Sequence, residues 1–487
     1  MLKRALLLLI ILIGTVVAIA VAHTALTPRA SVAVVPLSQL PVDQQAVARR
    51  LSAAVRFSTI SWEDPKAQPD TQLPELIAFL HSSYPLVFSK LQQEEFPGLG
   101  LLLKWPGRDT QALPVLLAAH LDVVPVEAGT EAGWQHAPFS GDIAEGYIWG
   151  RGTLDDKVVA LSILEAAEAM LVQGLQPRQT IYLAFGGDEE IGGEQGAAHI
   201  AEHLRQQGVK LDYVLDEGLA ITEGFIAGLN KPAALIGIGQ KGYATFTLSA
   251  SGPGGHSSVP VDLNPLVVVS RAVAHIDAAK PQLTMTEPVR QMLSGVAPAA
   301  PPAMRVVLSN LWLSRPLVQA IFKSKPATRA MLETVVSPTV FRSGEKDNIV
   351  PQQAYAEINV RVLPGDTVAG VQQRFVKAVD DSRVSISLNP GSTEPTPVSD
   401  SRSPGYRTLA GAIQSAYPDV VVAPGLVLAL TDSRHYVDIA QNIYRFGPMR
   451  LRPEDLARIH GSNERISVED YAAAVRFFAT LMSAPAP

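Results

Sequence analysis

Short apolar segments alternate with helical patterns over residues 42–232, and this alternation constrains the fold more than any other feature of the chain. Apolar runs at residues 115–119, 181–185 and 213–215 have the length of buried strands. Residues 157–172 and 194–207 instead repeat apolar side chains with a helical period. Strands that alternate with helices predict a mostly parallel sheet covered by helices. We therefore expect an α/β fold.

A second, smaller domain is predicted from residue 243 onward, where the pattern changes. Apolar and polar side chains alternate at residues 243–250 and 356–362, which is typical of strands with one exposed face. Helical stretches at 264–276 and 367–379, and a strand near 384–388, follow these two segments in turn. The order strand, helix, two strands, helix, strand predicts a ferredoxin-like α+β domain inserted into the larger one.

The domain boundaries follow from this change of pattern. We place the first part of the large domain at residues 42–236, the insert at 237–390 and the second part of the large domain at 391–487. Residues 278–340 are rich in Pro, Ala and Met, and we expect them to form a helical elaboration of the insert.

The N-terminus has the composition of an export signal or a membrane anchor. Lys3 and Arg4 precede a nearly unbroken apolar stretch at residues 5–22, which is long for a cleaved signal and just sufficient to span a bilayer. The segment at 20–22 resembles a cleavage site, so residues 1–26 are either an uncleaved anchor, which we favour, or a removed signal peptide.

The two alternatives predict different locations. With an anchor, positive charge stays inside and the folded body lies on the exported, periplasmic or extracytoplasmic side; with cleavage, the protein is secreted. Residues 27–41 contain three prolines and no helical period, and they predict a linker from the membrane to the folded body.

Composition limits the chemistry that the chain can perform. A chain of 487 residues with 47% hydrophobic and 18% charged residues is long enough for two domains with a large core. Its net charge of −6 has no long basic block, so we expect no nucleic-acid partner. The chain has no cysteine, which excludes disulfides, thiolate ligands and a cysteine nucleophile. Any metal must be held by His, Asp and Glu.

Clusters of acidic and histidine residues follow three of the predicted strands. They are His120-Leu121-Asp122, Asp188-Glu189-Glu190 and Asp216-Glu217, and a fourth cluster, GRGTLDDK at residues 150–157, ends at a predicted helix. Any one cluster has a structural explanation, as a solvated loop or as favourable charge at a helix start. Because parallel strands end at one edge of a sheet, however, we expect the clusters to converge. Imidazoles and carboxylates on one rim suit a pair of divalent metal ions.

Five segments of the chain resemble the signature segments of the M20 metallopeptidases, in the same order. They are HLD, GRGTLDDK, FGGDEEIGG, LDEG and HGSNERI. The resemblance covers about residues 45–480 and is closest to the subgroup of Gly-X carboxypeptidase and the N-fatty-acyl-amino-acid synthase/hydrolases. It implies a zinc-hydrolase catalytic domain with two Zn²⁺ per subunit, and a lid formed by the insert.

The resemblance also assigns the metal ligands. It implies that His120 and Asp216 hold one zinc ion, that Glu190 and His460 hold the other, and that Asp155 bridges them. The choice of Asp216 over its neighbour in LDEG follows the family pattern alone.

Two further acidic residues receive catalytic roles from the resemblance. Glu189, next to a ligand, would be the general base that takes a proton from water and returns it to the leaving amine. Asp122, two residues beyond His120, would orient that imidazole. A metal ion would polarise the amide carbonyl, and no covalent intermediate is needed.

Four residues are expected to contact the substrate. His256 in GPGGHSSVP would donate to the oxyanion or contact substrate when the lid closes, although a histidine among glycines is otherwise a loop residue. Asn348 in KDNIVP and Arg361 in NVRVLPG match lid positions that face substrate. Arg434 in TDSRHY could clamp a substrate carboxylate, because a guanidinium fork suits it, or could form a structural ion pair.

Two other motifs have competing explanations. Residues 199–203 fit H-x-x-E-H, but the apolar stripe of the surrounding helix leaves both histidines on its flank. Residues 237–242 fit G-x-G-x-x-G, but a strand pattern follows where a dinucleotide site requires a helix. The chain has no G-x-S-x-G nucleophile elbow.

Three functional hypotheses follow. The first is an enzyme that hydrolyses N-acyl amino acids or short peptides with a free C-terminal carboxylate, with the reverse condensation left open. The second is a strict carboxypeptidase or dipeptidase without fatty-acyl preference. The third is a membrane-tethered binding protein on an inactive hydrolase fold, which the presence of every implied ligand disfavours. M20 lids often mediate dimers, so a homodimer also stays open, although residues 278–340 could block that contact.

Overall fold

The computed structural model describes residues 2–26, 35–38, 40–63, 71–96, 99–226, 228–279 and 281–485. Its helices are α1 (Leu2–Leu26), α2 (Gln44–Val55), α3 (Leu73–Ser83), α4 (Pro85–Lys90), α5 (Lys157–Val172), α6 (Ala197–Gln206), α7 (Pro265–Ala278), α8 (Glu287–Val296), α9 (Pro302–Ser309), α10 (Leu311–Lys323), α11 (Pro326–Arg329), α12 (Val368–Val379), α13 (Pro404–Ala416) and α14 (Val468–Met482). Its strands are β1 (Gln92–Phe96), β2 (Gly100–Trp105), β3 (Val115–His120), β4 (Ile143–Ala144), β5 (Tyr147–Trp149), β6 (Ile181–Gly186), β7 (Leu211–Thr222), β8 (Ala233–Gln240), β9 (Gly242–Ser251), β10 (Gly255–His256), β11 (Val335–Ser343), β12 (Ile349–Val350), β13 (Gln353–Val362), β14 (Ser385–Leu388), β15 (Val421–Val427), β16 (Ala440–Leu451) and β17 (Arg465–Ser467).

An eight-stranded sheet forms the centre of the large domain, in the order β1-β2-β6-β3-β7-β16-β8-β15. The four strands β6, β3, β7 and β16 run parallel, as do β8 and β15, while β1 and β2 pair antiparallel at one edge. Strands β3 and β6 are buried along their whole length, as expected for a sheet covered on both faces. The predicted α/β fold with a mostly parallel sheet is confirmed.

Helices cover both faces of this sheet. Helices α2, α5 and α14 pack together in the main core on one face. Helix α6 packs on the other face through its apolar stripe, Ala197, Ile200, Ala201 and Leu204. His203 lies off that stripe and pairs with Glu94 at 2.6 Å. The H-x-x-E-H segment therefore contributes a packing helix and a surface ion pair.

The inserted domain is a four-stranded antiparallel sheet in the order β11-β13-β9-β14, with α7 and α12 packed against it. Along the sheet, its strands are the second, third, first and fourth of the domain, which is the predicted ferredoxin-like arrangement. Strand β11 lies mostly inside residues 278–340, which we expected to be helical. It is an edge strand with mostly exposed or half-buried residues, so it lacks the apolar alternation that reveals a strand in sequence.

The boundary of the insert differs from the prediction. Strand β8 is fully buried within the main sheet, so the predicted boundary at residue 237 falls inside a strand of the large domain. The insert instead begins with β9, directly after Lys241. The G-x-G-x-x-G segment is this passage from one strand to the next.

The helical part of residues 278–340 packs on the large domain. Helices α8 to α10 share a core with β8 and β15, in which Val289, Met292 and Leu293 lie against Ala423. These helices therefore extend the large domain, whereas we expected them to extend the insert.

Helix α1 is long and apolar enough to cross a membrane, and it is the one such helix within the described part of the chain. Its most apolar window, within residues 3–26, has a mean hydropathy of 3.1 and is almost entirely exposed. Residues 27–34 and 39 of the predicted linker lie outside the described residues. Within the predicted linker, the Ser38 backbone N–H donates to Thr480 Oγ1 at 3.1 Å, which joins this part of the linker to α14.

Candidate metal centre and active site

The predicted clusters converge at the carboxyl ends of the parallel strands. His120 is the last residue of β3, and Asp155 lies in the loop that precedes α5. Glu189 and Glu190 begin a single 3-10 turn that follows β6. His460 lies near the end of the chain and has a positive φ of 59°. Four separate segments thus supply one group of imidazoles and carboxylates.

Asp155 lies at the centre of this group. Its Oδ1 is 2.9 Å from His120 Nε2, and its Oδ2 is 3.1 Å from His460 Nε2. Each oxygen therefore faces a different imidazole. A carboxylate that bridges two cations has this disposition.

Glu190 completes the side of the group that is nearer to solvent. Its Oε2 is 3.3 Å from His460 Nε2, and its Oε1 is buried without a hydrogen-bond partner. Donor atoms of His120, Asp155 and Glu190 all lie within 4.8 Å of one another. A buried carboxylate oxygen without a partner is costly, and a cation at this position would remove that cost.

Asp122 supports both the histidine and the acidic turn. Its backbone carbonyl oxygen lies 3.1 Å from His120 Nδ1 and its Oδ1 lies 3.3 Å from the same nitrogen, so both acceptors are placed to orient the imidazole. The same carboxylate accepts hydrogen bonds from the backbone N–H groups of Glu189, at 3.2 Å, and Glu190, at 3.1 Å. Asp122 thereby ties the imidazole of His120 to the turn that carries the predicted base.

A fifth segment, strand β7, brings Glu217 into the group, where the family pattern had implied Asp216. Donor atoms of Glu217, His120 and Asp156 lie within 4.8 Å of one another. Asp216 is buried and its Oδ2 accepts the backbone N–H of Ser433 at 2.7 Å. The structure therefore places Glu217, and not the predicted Asp216, beside His120.

A break in strand pairing explains this difference. In the pairing of β7 with β16, Asp216 is opposite Arg445, but the next pair joins Leu219 to Phe446. Such an irregularity re-aims the side chains at the break. Gly218 has a φ of 138°, which makes the break possible because glycine adopts positive φ without steric cost.

Glu464 shapes the loop that carries Asp155, and sequence reasoning gave it no role. Its fully buried Oε1 accepts the backbone N–H groups of Gly152, at 2.9 Å, Leu154, at 2.8 Å, and Asp155, at 3.3 Å. Its Oε2 accepts from Arg151 at 2.6 Å, and Arg151 in turn donates to the His460 carbonyl oxygen at 3.2 Å. The sequence feature that could have pointed to Glu464 is its position in the segment HGSNERI, four residues after His460.

The lid residues His256 and Asn348 lie together on a short two-stranded ribbon. His256 pairs with Ile349 across β10 and β12, and the Ser257 backbone N–H donates to the carbonyl oxygen of Asn348, the residue before β12, at 3.0 Å. His256 is exposed and its Nδ1 is 2.8 Å from Ser258 Oγ. Among the hydrogen bonds of the described residues, none joins His256 to the metal-ligand group. Its role in substrate binding stays a prediction.

The two predicted substrate-binding arginines have different surroundings. Arg434 donates to the carbonyl oxygens of Thr431, at 3.0 Å, and Gly192, so backbone contacts already occupy much of its guanidinium. Arg361 lies 4.8 Å from the ring centre of Tyr243, and no carboxylate of the described chain forms an ion pair with it. Arg361 therefore has more capacity for a new carboxylate partner than Arg434.

The electrostatics of the group demand positive charge. Burial raises the pKa of Glu189, Glu190 and Glu217. Hydrogen bonds to Asp155 and then Glu190 raise the pKa of His460 to about 10. Within the described chain no lysine or arginine forms an ion pair with any of these carboxylates. Buried carboxylates are stable when paired or bound to metal, so the donor set fits divalent cations.

The fold and this group define a class of protein. Imidazoles and carboxylates at the rim of an α/β sheet, next to a free acidic side chain and below an inserted lid, are the parts of a metal-dependent hydrolase.

Comparison with known proteins identifies the family. Residues 116–484 match Peptidase family M20/M25/M40, and the chain belongs to this family of metal-dependent, typically dinuclear, hydrolases of amide bonds. It is 39% identical to the N-fatty-acyl-amino acid synthase/hydrolase PM20D1.1 of Danio rerio, over 91% of this chain and 86% of that protein. It is 38% identical to the probable carboxypeptidase S-like 2 of Dictyostelium discoideum, over 89% of this chain and 83% of that protein.

A solved structure shares the fold. The M20 family metallo-carboxypeptidase Sso-CP2 from Sulfolobus solfataricus superposes with a TM-score of 0.66 at 18% identity, covering 91% of this chain and 99% of that one. The predicted membership of the M20 family and the predicted enzyme class are confirmed.

Proposed function

We propose that this chain is a dinuclear zinc hydrolase that cleaves the amide bond of N-acyl amino acids, or of short peptides, next to a free C-terminal carboxylate. The observation that carries the proposal is the position of Asp155, whose two oxygens face His120 and His460 separately. The adjacent turn supplies Glu189, an acidic side chain that the ligand set leaves free.

The ligand assignment follows the geometry. His120 and Glu217 would hold one zinc ion, Glu190 and His460 the other, and Asp155 would bridge them. Three carboxylates neutralise only part of the charge of two divalent cations, so the site keeps positive charge for a substrate oxygen. When bound, the zinc pair would supply Lewis-acid polarisation of the scissile carbonyl and a lower pKa for the attacking water.

The chain's own residues handle the proton and hold the site in shape. Glu189 takes the proton from the attacking water and delivers it to the leaving nitrogen, so that the amide bond breaks into a carboxylic acid and an amine. Asp122 keeps that turn beside His120 through its two backbone hydrogen bonds. Arg361 forms neither an ion pair nor a side-chain hydrogen bond among the described residues, whereas Arg434 donates to two backbone carbonyl oxygens. Arg361 is therefore the better candidate to bind the substrate carboxylate when the lid closes.

The names of the relatives support the substrate class. One is an N-fatty-acyl-amino acid synthase/hydrolase and another a probable carboxypeptidase. In both substrate classes a free carboxylate belongs to the amino acid whose nitrogen is released. A strict carboxypeptidase without fatty-acyl preference is therefore the second candidate, and substrate comparison separates the two.

The test is amine release by the full-length zinc-loaded protein from N-oleoyl amino acids and from matched dipeptides. Glu189→Gln should lower kcat/KM by about 100- to 10,000-fold, the usual contribution of a general base, and should retain zinc. The matched control is Glu202→Gln on the surface of α6, whose ion pair with Arg205 is exposed. Undiminished turnover by Glu189→Gln would contradict the mechanism.

The substrate panel decides between the two candidates. Faster cleavage of the oleoyl substrates would support a fatty-acyl amino acid hydrolase. Cleavage of dipeptides alone would instead establish the carboxypeptidase or dipeptidase. Bound zinc without turnover on either class would favour an inactive binding protein.

The location of the enzyme is part of this proposal. Helix α1 contains 25 residues, or about 37 Å at 1.5 Å per residue, against a hydrocarbon core of about 30 Å. Lys3 and Arg4 would stay on the cytoplasmic side. The catalytic domain would then be anchored on the exported side of the membrane.

A further inference from the structure

Helix α10 has an unusual surface, because the side that faces solvent is apolar. Trp312, Leu317 and Ile321 are 62%, 54% and 55% exposed, and Leu313 is also exposed. Pro316 and Ala320 complete the same face, with the spacing of one side of a helix. Apart from α1, no other described helix or strand exposes as many large apolar side chains. A contiguous apolar face of this kind marks an interaction surface.

A buried asparagine joins this helix to the end of α1. Asn310, directly before α10, is 1% exposed. Its Nδ2 donates to the Ala20 carbonyl oxygen at 3.1 Å and to Thr24 Oγ1 at 2.9 Å. Its Oδ1 accepts from Trp312 Nε1 at 3.0 Å. One side chain therefore connects α1 to the first turn of α10.

This connection sets the level of α10 relative to a bilayer. A transmembrane helix needs about 20 apolar residues, so a span that begins after Arg4 ends close to Thr24. The Asn310 contacts lie on that last turn. Helix α10 therefore starts where α1 leaves the hydrocarbon core.

The charged residues around α10 indicate which kind of partner its apolar face binds. Residues 287–333 contain six basic residues and two acidic ones, Glu287 and Glu333, which pair with Arg290 and Arg329. The whole chain, by contrast, carries a net charge of −6. The six are Arg290, Arg305, Arg315, Lys323, Lys325 and Arg329. A tryptophan, an apolar face and flanking basic residues are typical of helices that lie at an anionic membrane surface. Four of the six, Arg305, Arg315, Lys323 and Lys325, form no ion pair among the described residues, and their repulsion disfavours pairing with a second copy of the same surface.

We propose that α10 lies in the headgroup region of the anionic leaflet from which α1 emerges, with its apolar face toward the acyl chains. The protein is then held against the membrane at two points, and the large domain has one fixed orientation relative to the bilayer. This inference rests on the membrane-anchored location in the proposed function, but not on the chemistry of the active site.

The test uses the absence of cysteine from the chain, since a single introduced cysteine gives a unique label. Leu317→Cys, with an environment-sensitive fluorophore, is reconstituted as the full-length protein in phosphatidylcholine vesicles with phosphatidylglycerol. Leu9→Cys marks α1, and Val172→Cys, which is 63% exposed at the end of α5, is the matched control. Lipids with a spin label on the acyl chain quench only fluorophores that reach the bilayer. Amide hydrolysis by each labelled protein confirms its fold.

We expect loss of fluorescence at Leu317 and Leu9 and none at Val172. Replacing Arg315 or Lys323 by Gln should weaken the membrane association of the Leu317 label about five-fold per charge, and neutral vesicles should weaken it further. Quenching at Leu9 without quenching at Leu317 would overturn the inference while the anchor stands. No quenching at Leu9 would overturn both the anchor and this inference. The Leu317 label could also become buried in detergent, without any bilayer, to an extent that increases with protein concentration. That result would show that a second copy covers this face, and it would also overturn the inference.

Discussion

Removing the carboxylate of Glu464 should destabilise the protein more than removing any exposed acidic residue. Glu464 is fully buried and supports the loop before α5 through three backbone hydrogen bonds and an ion pair with Arg151. In Glu464→Ala, the buried guanidinium of Arg151 loses its only carboxylate partner among the described residues. Three backbone N–H groups of the loop, those of Gly152, Leu154 and Asp155, lose their acceptor as well.

The magnitude follows from these contacts. Breaking a buried ion pair by removing one partner costs about 3–5 kcal/mol. Glu464→Gln keeps an acceptor oxygen for the backbone N–H groups of Gly152 and Leu154 and loses only the charge, so its cost should be about 1–3 kcal/mol. The free energy of unfolding should therefore be highest for the wild type, lower for Glu464→Gln and lowest for Glu464→Ala.

Urea unfolding followed by circular dichroism measures these differences. Glu202→Ala, which breaks an exposed ion pair with Arg205, is the control and should change the free energy of unfolding by less than about 1 kcal/mol. Zinc content should fall in Glu464→Ala, because the loop carries Asp155. A free energy of unfolding for Glu464→Ala within about 1 kcal/mol of wild type would refute the reasoning.

Three further predictions concern single positions. Glu217→Gln should lower the zinc content, whereas Asp216→Asn should keep the zinc and lower the melting temperature, since Asp216 accepts a buried backbone hydrogen bond; zinc loss from Asp216→Asn alone would restore the family assignment. Gly193→Ala should lower the melting temperature, because Gly193 has a φ of 65° and an added Cβ would collide with Asp432; an unchanged melting temperature would contradict this. Burial lowers the pKa of Lys241 from 10.5 to about 8, so the folded state binds fewer protons than the unfolded state between these values and stability should rise with pH across that window. Lys241→Met should remove a rise of at most about 3 kcal/mol in urea unfolding, and equal pH dependence in both proteins would exclude the effect.

The core elements could be predicted because their side chains repeat with a clear period. Strands β3 and β6 are continuous apolar runs, and β9 and β13 alternate cleanly because one face of the lid sheet is exposed. Edge strand β11 has no such pattern, since few of its residues are buried. The period of apolar side chains reflects which face of an element is buried. It therefore gives no signal for an element that is exposed on both faces.

The positions of helices α8 to α11 could not be predicted for a different reason. Their apolar stripes show that they pack on something, and the stripe of α8 is pronounced. An apolar stripe does not indicate which element it packs against, however, and only the folded chain shows that α8 covers β15. The same holds for α10, whose apolar residues predict burial but are exposed.

The sequence by itself determined the fold class, the inserted domain, the residue types of the site and the loops that carry them. These properties depend on local periodicity and on the order of short motifs, which are properties of the chain. Only the tertiary structure places Glu217, rather than Asp216, beside His120, because the break in strand pairing at Gly218 sets which carboxylate faces that imidazole. It also revealed the support of the Asp155 loop by Glu464, whose partners lie about three hundred residues away in the chain. Contacts of that kind form between segments that are far apart in the chain. No local pattern in a single sequence predicts which distant segments will be in contact.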